Sequence, residues 1–401
     1  MRVLISALVV ALTFSSAAHA APSAKDRVAI SAIENRLAPS VTGSAATTLV
    51  DRMSALKVPG VSIAFIEDGR VKWVRAYGVA EAGRPVTPHT LFQAASMSKA
   101  VAAAGALVLV DQGRLDLDGD VNGRLKAWQI PPSPFTATEK VSLRRLLSHT
   151  AGLTVSGFPG YVAGKPIPTA LQILDGSPPA NTPAVRSFEP PGQGFAYSGG
   201  GYTVAQLLMV EMGGDPYPAL LDRLVLRPAG MRRSTYAQPL PQRLMVRAAS
   251  GHNAKGAVIP GSRNVYPEYA AASLWTTPGD YGRFVIALQN AYAGRGSALL
   301  RTDTARAMMT PIRGNYGLGV MPISHGGRLA FSHGGSNAGF QCNFIALLDG
   351  SRQGAVVMTN SDAGGALVGE IFLTLSQTYG WGEPAAPSGP FRRAPYAPVP
   401  K

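Results

Sequence analysis

The chain has 401 residues, 46% of them hydrophobic and 15% charged, with 45 Gly and 32 Pro. That hydrophobic share can build a core, and Gly plus Pro stays below the roughly 25–30% of low-complexity chains, which excludes disordered and fibrous classes. The formal net charge is +14, but the basic residues form no run and no basic-aromatic motif occurs, so the excess reads as scattered solvated cations and no nucleic-acid partner is expected.

Residues 1–20 have the layout of a secretory signal peptide. Arg2 precedes an apolar stretch from Val3 to Leu12, broken only by Ser6, and Ala18-His19-Ala20 is an A-x-A cleavage site. Export to the periplasm or medium is therefore expected, with Ala21 as the first mature residue. No cysteine near that site offers a lipid anchor. The longest later apolar run, Ala100 to Val110, is far short of the roughly 20 residues of a membrane span.

Residues 26–57 have helical spacing up to Pro59. Val61 to Glu67 alternates like a strand, Asp68-Gly69 supplies a hairpin turn, and Val71 to Val79 returns as its partner. An Ala-rich apolar helix follows over 96–112, closed by Gly113, and a shorter amphipathic one over 141–148 carries Leu143, Leu146 and Leu147. The stretch 153–200 is Pro/Gly-rich and reads as loop. Helices are predicted at 202–213, 216–226, 278–291 and 302–309. Strands are predicted at Leu329 to Ser332, Phe340 to Leu348 and Ala355 to Asn360, the last two separated by Asp349-Gly350, and a closing helix at 365–379. The tail 383–401 has six prolines and no periodicity, and it reads as disordered. A hairpin near one end and three strands near the other can share one antiparallel sheet. This is an α/β fold of the α+β type, with helices on the sheet and a mostly helical insertion. The domain is expected over 21–382, with its sheet part at about 21–115 and 271–382 and the insertion at about 116–270. A cleft between them is a natural ligand site.

Ser96-Met97-Ser98-Lys99 puts a hydroxyl and an amine one helical turn apart on one face. Serine needs a base to become a nucleophile, and lysine serves if its pKa falls from about 10.4 to near 7, which costs about 4 kcal/mol. Burial in an apolar wall beside a helix N-terminus supplies that. Ser54-Ala55-Leu56-Lys57 repeats the string, but it ends a helix where the lysine points into solvent. Tyr197-Ser198-Gly199 sits where the long loop meets a helix and can bring a phenol to the cleft. His333-Gly334-Gly335-Ser336 follows a predicted strand, and its glycines let a substrate backbone approach while N–H groups bind an oxyanion. His325-Gly326-Gly327 reads as a turn. Gly334 to Ala338 nearly spells a nucleophile elbow, but a strand follows where the elbow needs a helix. His149 reads as a helix cap. Cys342, the single cysteine, alternates into a strand as a buried filler and excludes an internal disulfide. His89 and His252 have no clustered partners, and neither a P-loop nor a dinucleotide fingerprint occurs, so neither metal nor cofactor is expected.

Taken in order, these motifs resemble the serine β-lactamase and penicillin-binding-protein superfamily, nearest to its class C β-lactamase-like branch of esterases and D-amino-acid peptidases. The resemblance covers about residues 26–380 and includes Leu147 to Leu153 and Tyr316-Gly317-Leu318-Gly319 as further landmarks. It implies a β-lactamase/transpeptidase-like fold and an acyl-enzyme on Ser96. By the same resemblance Lys99 takes the serine proton, Tyr197 shuttles a proton to the leaving group, and the N–H groups of Ser96 and Ser336 form the oxyanion hole. Gly199, Gly334 and Gly335 would meet a substrate that is an ester, a D-amino-acid peptide or other peptidoglycan-derived molecule, or a β-lactam. The alternative is a penicillin-binding or peptidoglycan-binding protein that is acylated without efficient turnover. Two positions depart from the family pattern. Gly199 replaces a common Asn, and His333 replaces a common Lys. With a pKa near 6.5, His333 is expected to be neutral at pH 7.5 and cationic near pH 5.5, facing the substrate.

Overall fold

The computed structural model describes residues 22–39, 45–383 and 391–397. The predicted signal peptide lies outside the described residues. The centre of the molecule is an antiparallel sheet of seven strands: β1 Gly60–Glu67, β2 Arg70–Glu81, β3 Arg84–Pro85, β4 Met321–His325, β5 Arg328–Asn337, β6 Phe340–Leu347 and β7 Gly354–Thr359. Their spatial order is β3-β2-β1-β7-β6-β5-β4, so the hairpin from one end of the chain joins the strands from the other through the β1–β7 pair, with Ile63 opposite Val357.

Both faces of this sheet are covered, which explains why β1 is buried along nearly its whole length, Ser62 included. Val61, Ile63 and Phe65 with Ala355 and Val357 pack under helices α1 (Ala24–Asn35), α2 (Leu49–Leu56) and one closing helix, Gly364–Tyr379. Val356, Met358 and Phe344 face the opposite layer, which includes Phe284 and Leu288 of the helix Pro278–Tyr292. Burying each such side chain contributes about 1.5–3 kcal/mol. Helix α3 (Ser98–Asp111) is buried from Ser98 to Leu109 on every side, as a helix apolar all round must be. Beyond it the chain forms short helices, then α4 (Gly199–Gly213), over a second apolar layer.

Several expectations are corrected. The single helix over 26–57 is two. The chain leaves α1 at Arg36, Leu37 pairs with Thr47 in a β-bridge, and Thr48 caps α2 by accepting from Asp51 N–H. Pro39 cannot continue a helix, and a threonine cap starts a new one. The helix over 216–226 is helical to Leu221 and then widens, with Arg227 N–H donating to Asp222 O. The strand at 329–332 runs on to Asn337, so the box at 333 is inside a strand, and β4 beside it was not predicted. Pro322 conceals β4, and it is tolerated because β4 is an edge strand. The Pro/Gly-rich loop hides a helix, Ala170–Asp175, opened by a Thr169/Gln172 capping box. The tail is not free of structure either. Residues 391–397 lie against the segment that carries Tyr197.

Candidate active site

A tight turn over Ala95–Met97 delivers the chain into α3. Ala95 has φ +47°, a region that costs an L-residue energy and persists only where the surroundings enforce it. The enforcing contacts are visible on both sides. Ala94 N–H donates to Leu274 O at 2.8 Å, and Leu274 N–H donates to Ser98 Oγ at 3.0 Å. The phenols of Tyr281 and Tyr236 donate to the carbonyls of Met97 and Ser98, each at 3.0 Å. From the sheet, Gly335 presses so close that a Cβ there would lie 2.3 Å from Ala94 O and 2.6 Å from Cys342 Sγ. A side chain at 335 would push the serine turn away, which is why this box needs its second glycine. Cys342 is the buried filler the sequence predicted.

Ser96 is thus held with Lys99 Nζ 3.1 Å from its Oγ, and the same Nζ donates to Ala271 O at 2.8 Å. Lys99 is only 2% exposed. Burial, helped by the charge of Arg393, brings its pKa down to about 7. Nζ also lies 4.9 Å from the ring centre of Tyr197 and 5.5 Å from that of Tyr202, contacts that favour the ammonium but are outweighed by desolvation. The other copy of the string lacks this setting, because Ser54 and Lys57 are both exposed and Lys57 ends α2 in the left-handed region.

Tyr197 is buried at the mouth of α4. Burial raises its pKa, against the opposing pull of a hydrogen bond with Ser96 and the charge of Arg393. Its backbone is bridged by the tail, since Tyr197 N–H donates to Arg392 O and Ala394 N–H donates to Tyr197 O, both at 2.9 Å. Ser198 caps α4 by accepting from Gly201 N–H at 2.8 Å. Gly199 does not reach the cleft wall. It is buried beneath Phe158, and a Cβ would lie 2.8 Å from that ring. Glycine stands at this position because Phe158 fills the space a side chain would need.

His333 lines the cleft but is not the titrating cation the sequence suggested. It is 3% exposed, and burial with the charge of Lys99 brings its pKa down to about 3. Both ring nitrogens are engaged, Nδ1 with Gly334 O at 2.6 Å and Nε2 with the Tyr316 hydroxyl at 2.9 Å. Tyr316 in turn meets His149 Nε2 at 3.2 Å, and His149 Nδ1 accepts from Ser198 N–H at 3.0 Å. The amide fixes every direction in this chain. Ser198 N–H donates to Nδ1, so Nε2–H of His149 donates to Tyr316, whose O–H donates to His333 Nε2, whose Nδ1–H donates to Gly334 O. Neutral imidazoles satisfy each link, and burial also holds His149 well below its usual pKa. His149 is therefore a connector between the Tyr197 segment and β5, where the sequence suggested only a cap. Its Leu147-to-Leu153 setting was a legible signal, as was the Tyr316 motif. Nothing in the sequence pointed to the tail.

The cleft has a volume of about 490 Å3, and its walls gather Ser96, Lys99, Tyr197, His333, Gly334, Gly335 and Ser336 with Phe158 and, from the tail, Phe391, Arg393 and Tyr396. Gln341 Nε2 donates to Ser336 Oγ at 2.8 Å across the strand pair. No carboxylate is among the lining residues. Hydroxyl, buried amine and phenol face one open volume, a set suited to acyl transfer.

Residues 45–375 match the family described as Beta-lactamase. Esterase EstB of Burkholderia gladioli is 30% identical over 219 residues, 52% of this chain and 55% of the esterase, so the chain spans little more than half the length of that relative. Penicillin-binding protein 4 of Amycolatopsis lactamdurans is 25% identical over 354 residues, 81% of this chain and 88% of that protein. The D-amino acid amidase of Ochrobactrum anthropi SV3, solved with L-phenylalanine, superposes with a TM-score of 0.66 at 22% identity, covering 88% of this chain and 99% of that one. At that identity the likeness bears on the fold alone.

Proposed function

The chain belongs to the beta-lactamase family and has its fold, and from that premise we propose that it is an exported serine hydrolase that forms an acyl-enzyme on Ser96. The observation that carries the reading is the buried Lys99 amine, 3.1 Å from Ser96 Oγ and brought down to a pKa of about 7. A neutral amine donates to Ala271 O and still offers its lone pair to the serine proton. Oγ then attacks the substrate carbonyl and Lys99 takes the proton. The oxyanion is met by the backbone N–H groups of Ser96 and Ser336. Tyr197 gives its phenol proton to the leaving group as it recovers the proton that Lys99 took, and then helps bring water onto the acyl-enzyme as Ser96 is released.

Ester, D-amino-acid amide or peptide, and β-lactam all fit this chemistry. The relatives in sequence support that range, since an esterase and a penicillin-binding protein are among them. Export rests on residues 1–20, and N-terminal sequencing of the secreted protein is expected to begin at Ala21. The reaction is tested by intact-mass detection of the adduct across a panel of esters, D-amino-acid amides and penicillins. A transient adduct that maps to Ser96 and turns over is expected. A stable stoichiometric adduct would indicate a penicillin-binding protein instead, and an adduct on Ser54 or Ser336 would overturn the mechanism.

A further inference from the structure

The tail residues 391–397 form a strap along the Tyr197 side of the cleft. Residue 393 forms a parallel β-bridge with Tyr197, and Val155 N–H donates to Pro395 O at 2.7 Å, so the strap is tied down on two neighbouring segments. Along an extended chain successive side chains point to opposite sides. Arg392 points away from the cleft, where it pairs with Glu189 at 2.6 Å and lies 5.4 Å over the Phe188 ring. Ala394 is buried. Arg393 points the other way, into the cleft, with Phe391 and Tyr396 beside it. Among the described residues Arg393 makes no ion pair, while Arg392 next to it does. The cleft therefore presents a guanidinium beside the nucleophile and a lysine, with no carboxylate on its walls. His333, where a cation was expected, is neutral and engaged on both nitrogens.

We propose that Arg393 is a specificity-determining residue whose guanidinium recognises a carboxylate on the substrate, so that this hydrolase takes its cationic recognition group from the tail strap rather than from the box at 333. The planar fork of Arg matches a carboxylate with two parallel N–H donors. The inference rests on the acyl-enzyme reading above and names the substrate class within it. Neutral acyl groups enter the same cleft without that contact.

The test is kcat/KM for two nitrophenyl esters of equal acyl length, one ending in a carboxylate and one in a primary amide. Any effect of Arg393 on Lys99 or Tyr197 acts on both esters and cancels in the ratio. The anionic-to-neutral ratio is expected to fall roughly 10- to 100-fold in Arg393→Ala and to recover in part in Arg393→Lys. An unchanged ratio in an enzyme that still hydrolyses both esters would overturn the proposal. If wild type hydrolyses neither ester and Ser96 is never labelled, the acyl-enzyme reading fails on its own. The carboxylate site is then read by equilibrium binding of the matching non-hydrolysable amides to wild type and Arg393→Ala. Weaker binding of the carboxylate compound alone supports the site, and equal affinities overturn it.

Discussion

Ser54-Ala55-Leu56-Lys57 and Ser96-Met97-Ser98-Lys99 are the same string in two settings. The first ends a surface helix with both polar groups in water. The second opens a buried helix, with three hydrogen bonds fixing its backbone, a fourth holding the Ser98 hydroxyl, and the lysine 2% exposed. The spelling supplies an amine one turn from a hydroxyl in both. Only burial changes what that amine is, because removing an ammonium from water disfavours the charged form. The contrast teaches that the reactive feature is the wall around Lys99, built by Ala271, Tyr197 and Tyr202, more than the motif.

The sharpest way to break this comparison is to remove each serine. Ser96→Ala is expected to lower ester hydrolysis by about 10^3-fold or more and to abolish the mass adduct, while Ser54→Ala stays within about twofold. Comparable losses from both would show that the two settings do not differ as described.

Replacing the lysines sharpens it further. Burying Lys99 holds its folded pKa at about 7, below its unfolded value of about 10.5. The unfolded chain therefore binds the extra proton between those values, and stability rises with pH across that window. The destabilisation is complete below pH 7. Lys99→Met is expected to be inactive yet more stable than wild type by about 2–4 kcal/mol at pH 6, a gain that shrinks toward pH 10. Denaturant melts at both pH values check this, and a loss of stability at pH 6 would count against a destabilising buried amine.

Burial acts on an acid as well, with the opposite sign. Glu268 precedes the helix whose Ala271 carbonyl holds Lys99. It is fully buried, neither carboxyl oxygen has a partner outside its own residue, and burial raises its pKa to about 8. Here the folded state keeps the proton, so stability is lost as pH rises from about 4.5 toward 8. Glu268→Gln cannot titrate, and its stability relative to wild type is expected to grow by about 1–3 kcal/mol from pH 5 to pH 8. A constant difference across that range would contradict a buried neutral carboxyl.

The smallest effect concerns the connector. Tyr316→Phe leaves His333 Nε2 without a donor and His149 Nε2–H without an acceptor, both buried. A cost of about 1–2 kcal/mol in the denaturant midpoint is expected, with a modest fall in kcat as Tyr197 and β5 lose their link. An unchanged midpoint would mean that the chain of hydrogen bonds does not couple the two walls.

The sheet and the pairing of Ser96 with Lys99 were legible because their signals are local. Alternation marked β1 and β6, a short apolar run after Asp349-Gly350 marked β7, a turn dipeptide marked the hairpin, and a hydroxyl one turn from an amine marked Ser96 and Lys99. What escaped depends on contacts distant in sequence. The protonation of His333 follows from burial against Tyr316 and Lys99, and His149 becomes a connector only when β5 lies beside it. Gly199 has its reason in Phe158, and β4 is obscured by a proline that only an edge strand accepts. Arg393 is the extreme case, a residue in a proline-rich stretch without periodicity, set beside Tyr197 by backbone hydrogen bonds that span about half of the chain.

The most direct measurement is the titration of the Lys99 amine itself, followed by heteronuclear NMR of lysine-labelled protein, with the resonance assigned by its absence in Lys99→Met. A midpoint near pH 7 is predicted, matching the acid limb of kcat/KM on the neutral ester. A Lys99 amine that stays protonated above pH 9 would contradict the account, because the group beside Ser96 would then have no lone pair to accept the serine proton.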